Sequence, residues 1–478
     1  MSSHVATTAS LAEFFGRLPG EDRTLVDWPA MVDWFLALER ASPRLAVERI
    51  GQATEGGDMV LLILSDPATI AALDDVRARR RLLMDPSLLR DPANVDGTLA
   101  GDRTVVLLTA GIHATEVGGV QLMPELIANL ACSDAADVGR ILQRVILLVV
   151  PTLNPDGMDL VHRWYRDTLG TPAEGSEPPA PYHRYAGHDN NRDWYTHALQ
   201  ETRLVVERVH NVWRPHVVLD LHQMRINAPR YVVPPYIDPA EPHVHPRLVS
   251  LASAVGTYAH AALVREGRLG ACAGVMFDCY SPTRAYQHYH GGVRILAEAA
   301  SARIATPIEM TADEIKPQRG FDPNLPSVHN PAPWPGGTWR LRDIMDYHLT
   351  TIRAVLEHAA TFRDQWLRDQ WAVLRDQVEE PARTFVIAPL RHQVDPAATR
   401  ALVEVLRAGD VQVDVATEPA PPITAGSLLV RTDQPFGGYA RALLELTPYP
   451  LSPRVERAPG AVPYDVTTHC LPIHMGVE

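Results

Sequence analysis

The sequence predicts an α/β fold with a mixed, mainly parallel sheet that has helices on both faces, followed by a small C-terminal α/β module. Aliphatic, β-branched runs at 104–110, 145–150 and 217–221 are typical of buried strands. Helical patterns separate these runs, and strands joined by helices form parallel sheets that are covered on both faces. After residue 380 the composition changes and a βαββα pattern begins, which predicts the separate module.

The same patterns divide the chain into three parts. We expect residues 1–24 to be an N-terminal arm that is mobile or loosely docked, 25–379 to be the main domain and 380–478 to be the C-terminal module. The main domain should start with a helix over 26–38, followed by an antiparallel pair of strands at 45–51 and 59–65. The module shows no motif of its own for catalysis, so we interpret it as a packing or substrate-gating appendage.

Charge and cysteine usage narrow the class of protein. The 478 residues include 44 basic and 57 acidic side chains, a formal charge of −13. This acidity argues against nucleic acid and against anionic membrane as partners, since both attract basic surfaces. Four scattered cysteines suit a reducing compartment, and we expect Cys272 and Cys279 to be free thiols. Without an apparent signal sequence or apolar span, a cytoplasmic location is predicted.

The candidate chemistry begins where the first of these strands ends. His113 and Glu116 follow the run 104–110 directly, and a three-residue step lets an imidazole and a carboxylate reach one ion. Alone, this motif also fits a surface helix. His222, at the end of the run 217–221, supplies a third ligand type at a second strand end. Three protein ligands leave one position open for water, as a catalytic zinc site requires.

Further motifs accompany this set in order along the chain. A tight polar turn, Asn154-Pro155-Asp156-Gly157, follows the run 145–150. The pair Asn191-Arg192 comes next, and Glu298 lies in another apolar stretch after His222. Taken with His113 and Glu116, these motifs resemble the zinc carboxypeptidase family, the carboxypeptidase A-like metallopeptidases, over roughly residues 25–360. The phrases around Trp164 and Ala297 are similar to those of bacterial members of uncertain substrate.

The resemblance implies a role for each matching residue. His113, Glu116 and His222 would hold one Zn²⁺ per chain, and Glu298 would be the general base. Arg166, with Arg163 close by, would stabilise the oxyanion. Asn191 and Arg192 would bind a terminal carboxylate, although Arg192 also has Asp189 and Asp193 as neighbours that would make it structural. The family's mobile tyrosine would be one of three residues: Tyr280, Tyr286 or Tyr289.

The predicted function is therefore zinc-dependent hydrolysis of an amide or peptide bond next to a free carboxylate, by a metallocarboxypeptidase. The expected partner is a small peptide or acyl amino acid. An N-acyl amino acid deacylase of the aspartoacylase-like type is an alternative, and so is an inactive binding protein that keeps the fold. Two other polar groups are interpreted as solvated surface: the arginine cluster at 77–81, and the loop histidines His243 and His245.

Overall fold

The computed structural model describes residues 8–89, 91–180, 183–237, 240–274, 285–318, 321–448 and 470–478. Its centre is an eight-stranded sheet. In chain order the strands are β1 Leu45–Gln52, β2 Asp58–Leu64, β3 Thr104–Ala110, β4 Val145–Val150, β5 Val217–Met224, β6 Tyr231–Val232, β7 Ala271–Cys272 and β8 Val293–Ala300. Across the sheet the order is β1-β2-β4-β3-β5-β8-β6-β7.

The four central strands run parallel and the outer ones make the sheet mixed. Strand β3 pairs in parallel with β4 and β5, and β5 pairs in parallel with β8. Antiparallel pairing joins β1 to β2, β2 to β4 and β6 to β8. Every residue of β3 and β4 is buried. Because successive side chains point to opposite faces, both faces of these strands are covered, and the predicted fold class is confirmed.

Helices surround this sheet. They are α1 Thr8–Phe15, α2 Trp28–Ala41, α3 Pro67–Ile70, α4 Leu73–Leu83, α5 Pro92–Ala100, α6 Gly118–Gln121, α7 Met123–Cys132, α8 Ala136–Arg144, α9 Pro155–Thr168, α10 Gln200–Val205, α11 Asn211–Trp213, α12 Pro246–Arg265, α13 Leu341–Thr361 and α14 Arg363–Glu379. A separate two-stranded antiparallel sheet of β9 Ile308–Thr311 and β10 Gly336–Trp339 lies between β8 and α13 along the chain. None of the helices in the described part of the chain is both long and apolar enough to span a bilayer.

The described part of the N-terminal arm lies against the main domain. Leu11 of α1 is buried in the core, and the Phe14 and Trp34 rings pack with centroids 4.9 Å apart. Further along, the Arg23 backbone N–H donates to the Ala305 carbonyl at 2.8 Å. Residues 8–24 therefore contact the main domain through apolar packing and a backbone hydrogen bond.

The arginine cluster at 77–81 is not uniformly solvated, so that interpretation was wrong for Arg80. The Arg80 and Asp102 side chains are each 1% exposed, and their ion pair has an N–O distance of 2.9 Å. The same guanidinium donates to the backbone carbonyl of Arg214 at 2.7 Å and to the Gln370 side chain at 2.7 Å. Arg80 thereby links α4 to the segment before β5 and to α14.

The C-terminal module contains its own three-stranded antiparallel sheet. Its elements are β11 Thr384–Ile387, α15 Pro396–Ala408, β12 Asp414–Val415, β13 Leu428–Arg431, α16 Gly437–Leu444 and α17 Leu471–Met475. Strand β13 is central, between β11 and β12. Strand β12 is only two residues long.

His243, interpreted from sequence as solvated, is in fact buried between the two parts of the chain. Its Nδ1 lies 2.6 Å from Glu241 and its Nε2 lies 3.0 Å from Glu445, just after α16. His245 is less buried, and it lies 3.5 Å from Asp376 of α14. The solvated interpretation was wrong for His243 because Glu445, distant in sequence, covers it.

Candidate metal centre

The candidate centre lies at the carboxyl ends of β3 and β5, where the sheet topology changes direction. From β3 the chain continues to β4 on one side, and later returns to β5 on the other. Open α/β sheets bind ligands at such a switch point, because loops there separate and leave a crevice. His113 lies in the loop after β3, and His222 lies near the end of β5. The topology therefore brings the two predicted histidine ligands to one crevice.

The loop that carries His113 is fixed by hydrogen bonds and close packing against other segments of the chain. Gly111 has φ +67°, and a Cβ there would lie 2.6 Å from Val120 Cγ2. The Asn154 and Asn190 side-chain amides donate to the Ile112 carbonyl at 3.2 and 2.6 Å. Asn154 also caps α9 by accepting from the Gly157 N–H at 2.9 Å. The Asn-Pro-Asp-Gly turn thus positions the ligand loop.

His113, Glu116 and His222 form one cluster, with one ligand atom from each lying within 4.8 Å of the others. Glu116 is central. One of its carboxylate oxygens lies 2.8 Å from His113 Nδ1, and the other lies 3.0 Å from His222 Nδ1. The Gln223 backbone N–H donates to the second oxygen at 2.9 Å, which fixes the carboxylate against the end of β5.

In each histidine, the ring nitrogen that does not face Glu116 lies close to an aspartate carboxylate. Asp189 Oδ1 is 2.9 Å from His113 Nε2, and Asp220 Oδ2 is 3.0 Å from His222 Nε2. Each aspartate is itself paired with an arginine: Asp189 with Arg192 at 3.2 Å, and Asp220 with Arg294. A carboxylate that accepts the Nε2–H keeps Nδ1 available as a ligand atom and orients the ring.

Opposite charges in this cluster shift each other's pKa values towards the ionised forms. Burial opposes protonation of His113, yet the adjacent Glu116 and the hydrogen bond to Asp189 raise its pKa to about 9. For Asp220, burial opposes ionisation, but His222 and Arg294 hold its pKa below the usual range. In both cases the neighbouring opposite charge outweighs burial. The aspartates therefore stay ionised as hydrogen-bond acceptors.

These residues fit a zinc ion. Two imidazole nitrogens and a carboxylate converge, both histidines have an oriented ring, and the donor set is the nitrogen and oxygen type that zinc prefers. Of the described residues, this is the one group of three or more histidine, cysteine, aspartate or glutamate side chains close enough together to hold a metal.

Comparison with known proteins agrees with this donor set. The sequence profile of the zinc carboxypeptidase family matches residues 31–214, which include His113, Glu116 and Arg192. This match covers 184 of the 478 residues, and it includes two of the three candidate metal ligands. Carboxypeptidase 2 of Trichophyton rubrum is 28% identical over 118 residues, which are 25% of this chain and 18% of that protein. The chain thus matches less than a fifth of the length of this curated relative.

Solved structures of carboxypeptidases are also similar to this chain. A metallo-carboxypeptidase from Burkholderia cenocepacia is 17% identical with a TM-score of 0.44, over 70% of this chain and 69% of that one. Carboxypeptidase A from Helicoverpa armigera is 12% identical with a TM-score of 0.43, over 74% of this chain and 78% of that one.

Glu298, the predicted general base, lies beside His222 in the sheet. The two residues are direct partners in the parallel register of β5 and β8, so their side chains lie on the same face. Neighbouring strands are about 4.8 Å apart, so the Glu298 backbone is separated from that of His222 by about one strand spacing. Glu298 is 9% exposed. Glu298 is therefore a buried carboxylate on the same face of the sheet as His222.

Asn191 and Arg192, the predicted carboxylate-binding pair, differ in burial and in the groups they contact. Asn191 is buried; its Oδ1 accepts from the Trp194 indole at 3.0 Å, and its Nδ2 lies 3.5 Å from His222 Nε2. Arg192 is partly exposed, pairs with Asp189, and donates to the Asn191 carbonyl at 2.9 Å. Both residues therefore lie beside the candidate metal cluster, with Arg192 the more accessible.

Arg166 is not brought to the cluster by any described contact. It lies in the last turn of α9, its side chain is 61% exposed, and it pairs with Asp167 at 3.0 Å. Arg163 is likewise exposed and pairs with Asp159. An oxyanion role for Arg166 stays a prediction.

The tyrosine candidates separate by position. Tyr286 and Tyr289 precede the start of β8, whereas Glu298 is near its carboxyl end, so they lie at the opposite edge of the sheet. Both are buried against Tyr439 of α16, and burial raises the pKa of Tyr286 to about 12. They are packing residues of the module interface. Tyr280 and Cys279 lie outside the described residues.

Sequence reasoning missed Asp220, Gln223 and Arg294 as members of the centre. Asp220 carried a signal, because residues two apart on a strand share a face and Asp220 precedes His222 by two. Arg294 carried none: its contact with Asp220 depends on the pairing of β5 with β8.

Proposed function

We propose that this chain is a member of the zinc carboxypeptidase family and hydrolyses an amide or peptide bond next to a free carboxylate. One observation carries the proposal: His113, Glu116 and His222 converge with a charged aspartate behind each imidazole, and Glu298 lies in register beside His222. A zinc ion held by these ligands supplies a Lewis acid and a water of lowered pKa.

The chain's own residues divide the remaining work. The Glu298 carboxylate accepts a proton from the attacking water and delivers it to the leaving nitrogen, the usual task of a buried base beside such a centre. The Arg192 guanidinium, partly exposed at the edge of the cluster, binds the substrate carboxylate by two parallel charge-assisted hydrogen bonds. Asp189 orients both Arg192 and His113, so substrate binding and ligand geometry share one residue.

The test combines metal analysis with a substrate screen. Purified protein loaded with zinc is incubated with a dipeptide library and with N-acyl amino acids, and released amino acids are measured. We expect about one zinc per chain and release of the carboxy-terminal residue from dipeptides. Turnover of acyl amino acids alone would favour the deacylase alternative, and zinc binding without any hydrolysis would favour a binding protein.

A further inference from the structure

The metal centre opens into a cleft of about 960 Å³, and two segments that are distant in sequence line this cleft and contact each other. One is the loop 170–177 after α9, and the other is the turn 303–306 after β8. His113 and Glu116 line the same cleft. We call the loop and the turn together the cleft wall, because they border the space into which the metal ligands open.

The turn of the cleft wall has a strained backbone. Ile304, which lines the cleft, has φ +58°, in the left-handed region that a β-branched residue rarely adopts. Arg303 and Thr306 close the turn through paired backbone hydrogen bonds at 3.2 and 2.9 Å. The Thr306 hydroxyl also lies 2.6 Å from the Tyr165 hydroxyl of α9. A conformation of this kind persists only where surrounding contacts determine it, and such conformations are frequent at active and binding sites.

Glu174 joins the loop to the turn. One of its carboxylate oxygens accepts from the Thr306 hydroxyl at 2.8 Å and from the Arg23 guanidinium at 2.6 Å. The other oxygen accepts from the Gly170 N–H at 2.9 Å. The Arg23 backbone N–H donates to the Ala305 carbonyl at 2.8 Å, so the N-terminal arm holds the turn as well. Because both oxygens of Glu174 face donors, an amide at this position would have to point its NH₂ group at one of them.

Gly175 allows the loop to approach the turn closely. Its φ is +70°, and a Cβ there would lie 2.6 Å from Arg303 Cβ and 2.9 Å from the Arg303 carbonyl oxygen. Side-chain Cβ atoms do not come so close to other atoms, and the Arg303 backbone is fixed by its hydrogen bonds to Thr306. Gly170, in the same loop, has φ +73° and no atom within 4 Å of its Cβ position. Both positions favour glycine by their backbone, but only Gly175 is also required by the contact with the turn.

We propose that the cleft wall binds part of the peptide substrate, and that Glu174 and Gly175 are positioning residues for this wall. The inference rests on the proposed peptidase function and adds a binding surface beside the metal centre. The strained turn is held by contacts from the loop, from α9 and from the N-terminal arm, at the edge of the space that His113 and Glu116 also line. Strain that several segments maintain beside a cleft is typical of a site that presents a fixed shape to a ligand.

The kinetic test compares Gly175→Ala with Gly170→Ala in the zinc-loaded enzyme. The substrate is a tetrapeptide that ends in the dipeptide hydrolysed fastest in the substrate screen, since an extended tetrapeptide spans about 13 Å and reaches along the cleft. Gly175→Ala should push the loop away from Arg303 and raise KM by about 10-fold, with kcat and zinc content close to native, because the wall moves and the metal ligands do not. Gly170→Ala introduces the same backbone strain without the clash and should keep the native KM.

Three results of this comparison would overturn the inference: an unchanged KM in Gly175→Ala, an equal rise of KM in both glycine variants, or a fall of kcat at unchanged KM. The last result is what a merely structural role predicts, because misfolding reduces the fraction of active enzyme and leaves KM as it is.

Glu174→Gln tests the same wall without adding an atom, and it serves if Gly175→Ala does not fold. Its amide points an NH₂ group at a donor and weakens the tie between the loop and the turn, so KM should rise by about threefold at native kcat. Glu404→Gln, exposed on α15, is the matched control and should keep the native KM. A native KM in Glu174→Gln would show that Glu174 does not position the wall.

A binding measurement separates failure of this inference from failure of the proposed function. Amide hydrogen exchange is followed by mass spectrometry in zinc-loaded Glu298→Gln protein, with and without the same tetrapeptide. We expect the peptide to slow exchange several-fold in the loop 170–177 and also in 224–227, which lines the cleft after β5. Slower exchange at 224–227 with unchanged exchange at 170–177 would overturn the inference and leave the proposed function standing. Unchanged exchange in both segments, with no hydrolysis by the native enzyme, would overturn the proposed function and the inference with it.

Discussion

His222 Nε2 lies 3.0 Å from a carboxylate oxygen of Asp220, two residues earlier on the same face of β5. The other Asp220 oxygen accepts from the Thr109 hydroxyl at 2.7 Å, and Arg294 pairs with the same carboxylate. Asp220 is therefore held from β3 and β8 as well as from its own strand. Its position fixes which nitrogen of His222 faces Glu116.

Asp220→Asn should weaken zinc binding by about 10- to 100-fold, because the variant no longer offers a charged acceptor to the ligand imidazole. Zinc affinity is measured by competition with a chromophoric chelator. Asp96→Asn is the control, since Asp96 pairs with Arg368 at the surface and both side chains are mostly exposed. Native affinity in Asp220→Asn would mean that Asp220 does not orient the ligand.

Glu298→Gln should lower kcat by about 10²–10⁴-fold while zinc content and substrate binding persist, because the amide cannot accept the proton. Steady-state kinetics and metal analysis on the same preparation check this. Glu404→Gln, an exposed position on α15, is the matched control. Near-native turnover in Glu298→Gln would assign the base to another carboxylate.

Arg192→Ala should raise KM for a substrate with a free carboxylate, by an amount that corresponds to about 2–5 kcal/mol of lost binding. The matched amide substrate, already poor for the native enzyme, should change little. Arg192 also pairs with Asp189, which bonds to the ligand His113, so zinc affinity is measured in the same variant. Weakened zinc binding with equal loss on both substrates would show a structural role instead. Arg163→Ala, at an exposed pair with Asp159, is the control.

Arg80→Met should destabilise the fold by about 3–5 kcal/mol, because it leaves the buried Asp102 carboxylate without its cation. Chemical denaturation measures the free energy of unfolding. Adding Asp102→Asn should restore part of the loss by removing the unpaired charge. Arg77→Met, which breaks more exposed pairs with Glu48 and Asp74, should cost about 0–1 kcal/mol. Equal effects of Arg80→Met and Arg77→Met would contradict the burial argument.

The His243 contact should make stability depend on pH. Burial and the charge of Arg441 lower the pKa of His243, whereas Glu241 and Glu445 raise it. The two glutamates have the larger effect, so the folded-state pKa lies above 6.5. A raised pKa means that the stabilisation is complete below about pH 6.5 and is lost as the pH rises through the folded-state value.

The difference in Tm between native protein and His243→Gln should therefore be larger at pH 6 than at pH 9. Thermal unfolding at the two pH values measures it, with His392→Gln, on the module, as the control. A difference that does not depend on pH, or that grows as pH rises, would contradict a protonated His243 in the fold.

The sequence by itself determined the central strands and the three candidate ligands. Buried parallel strands are continuous aliphatic runs, and a switch-point site places its ligands just after them, so both signals are local. His113, Glu116 and His222 needed no knowledge of distant contacts beyond the expectation that two strand ends meet.

Only the tertiary structure decided which polar side chains are buried and which groups they pair with. Arg80 and His243 look like surface residues until Asp102, Gln370 and Glu445 are brought against them. Tyr286 and Tyr289 lie before the amino end of β8, whereas Glu298 lies near its carboxyl end. The length of the strand therefore separates these tyrosines from Glu298. Burial and ion pairing depend on segments that converge from far along the chain, and no local pattern encodes that convergence.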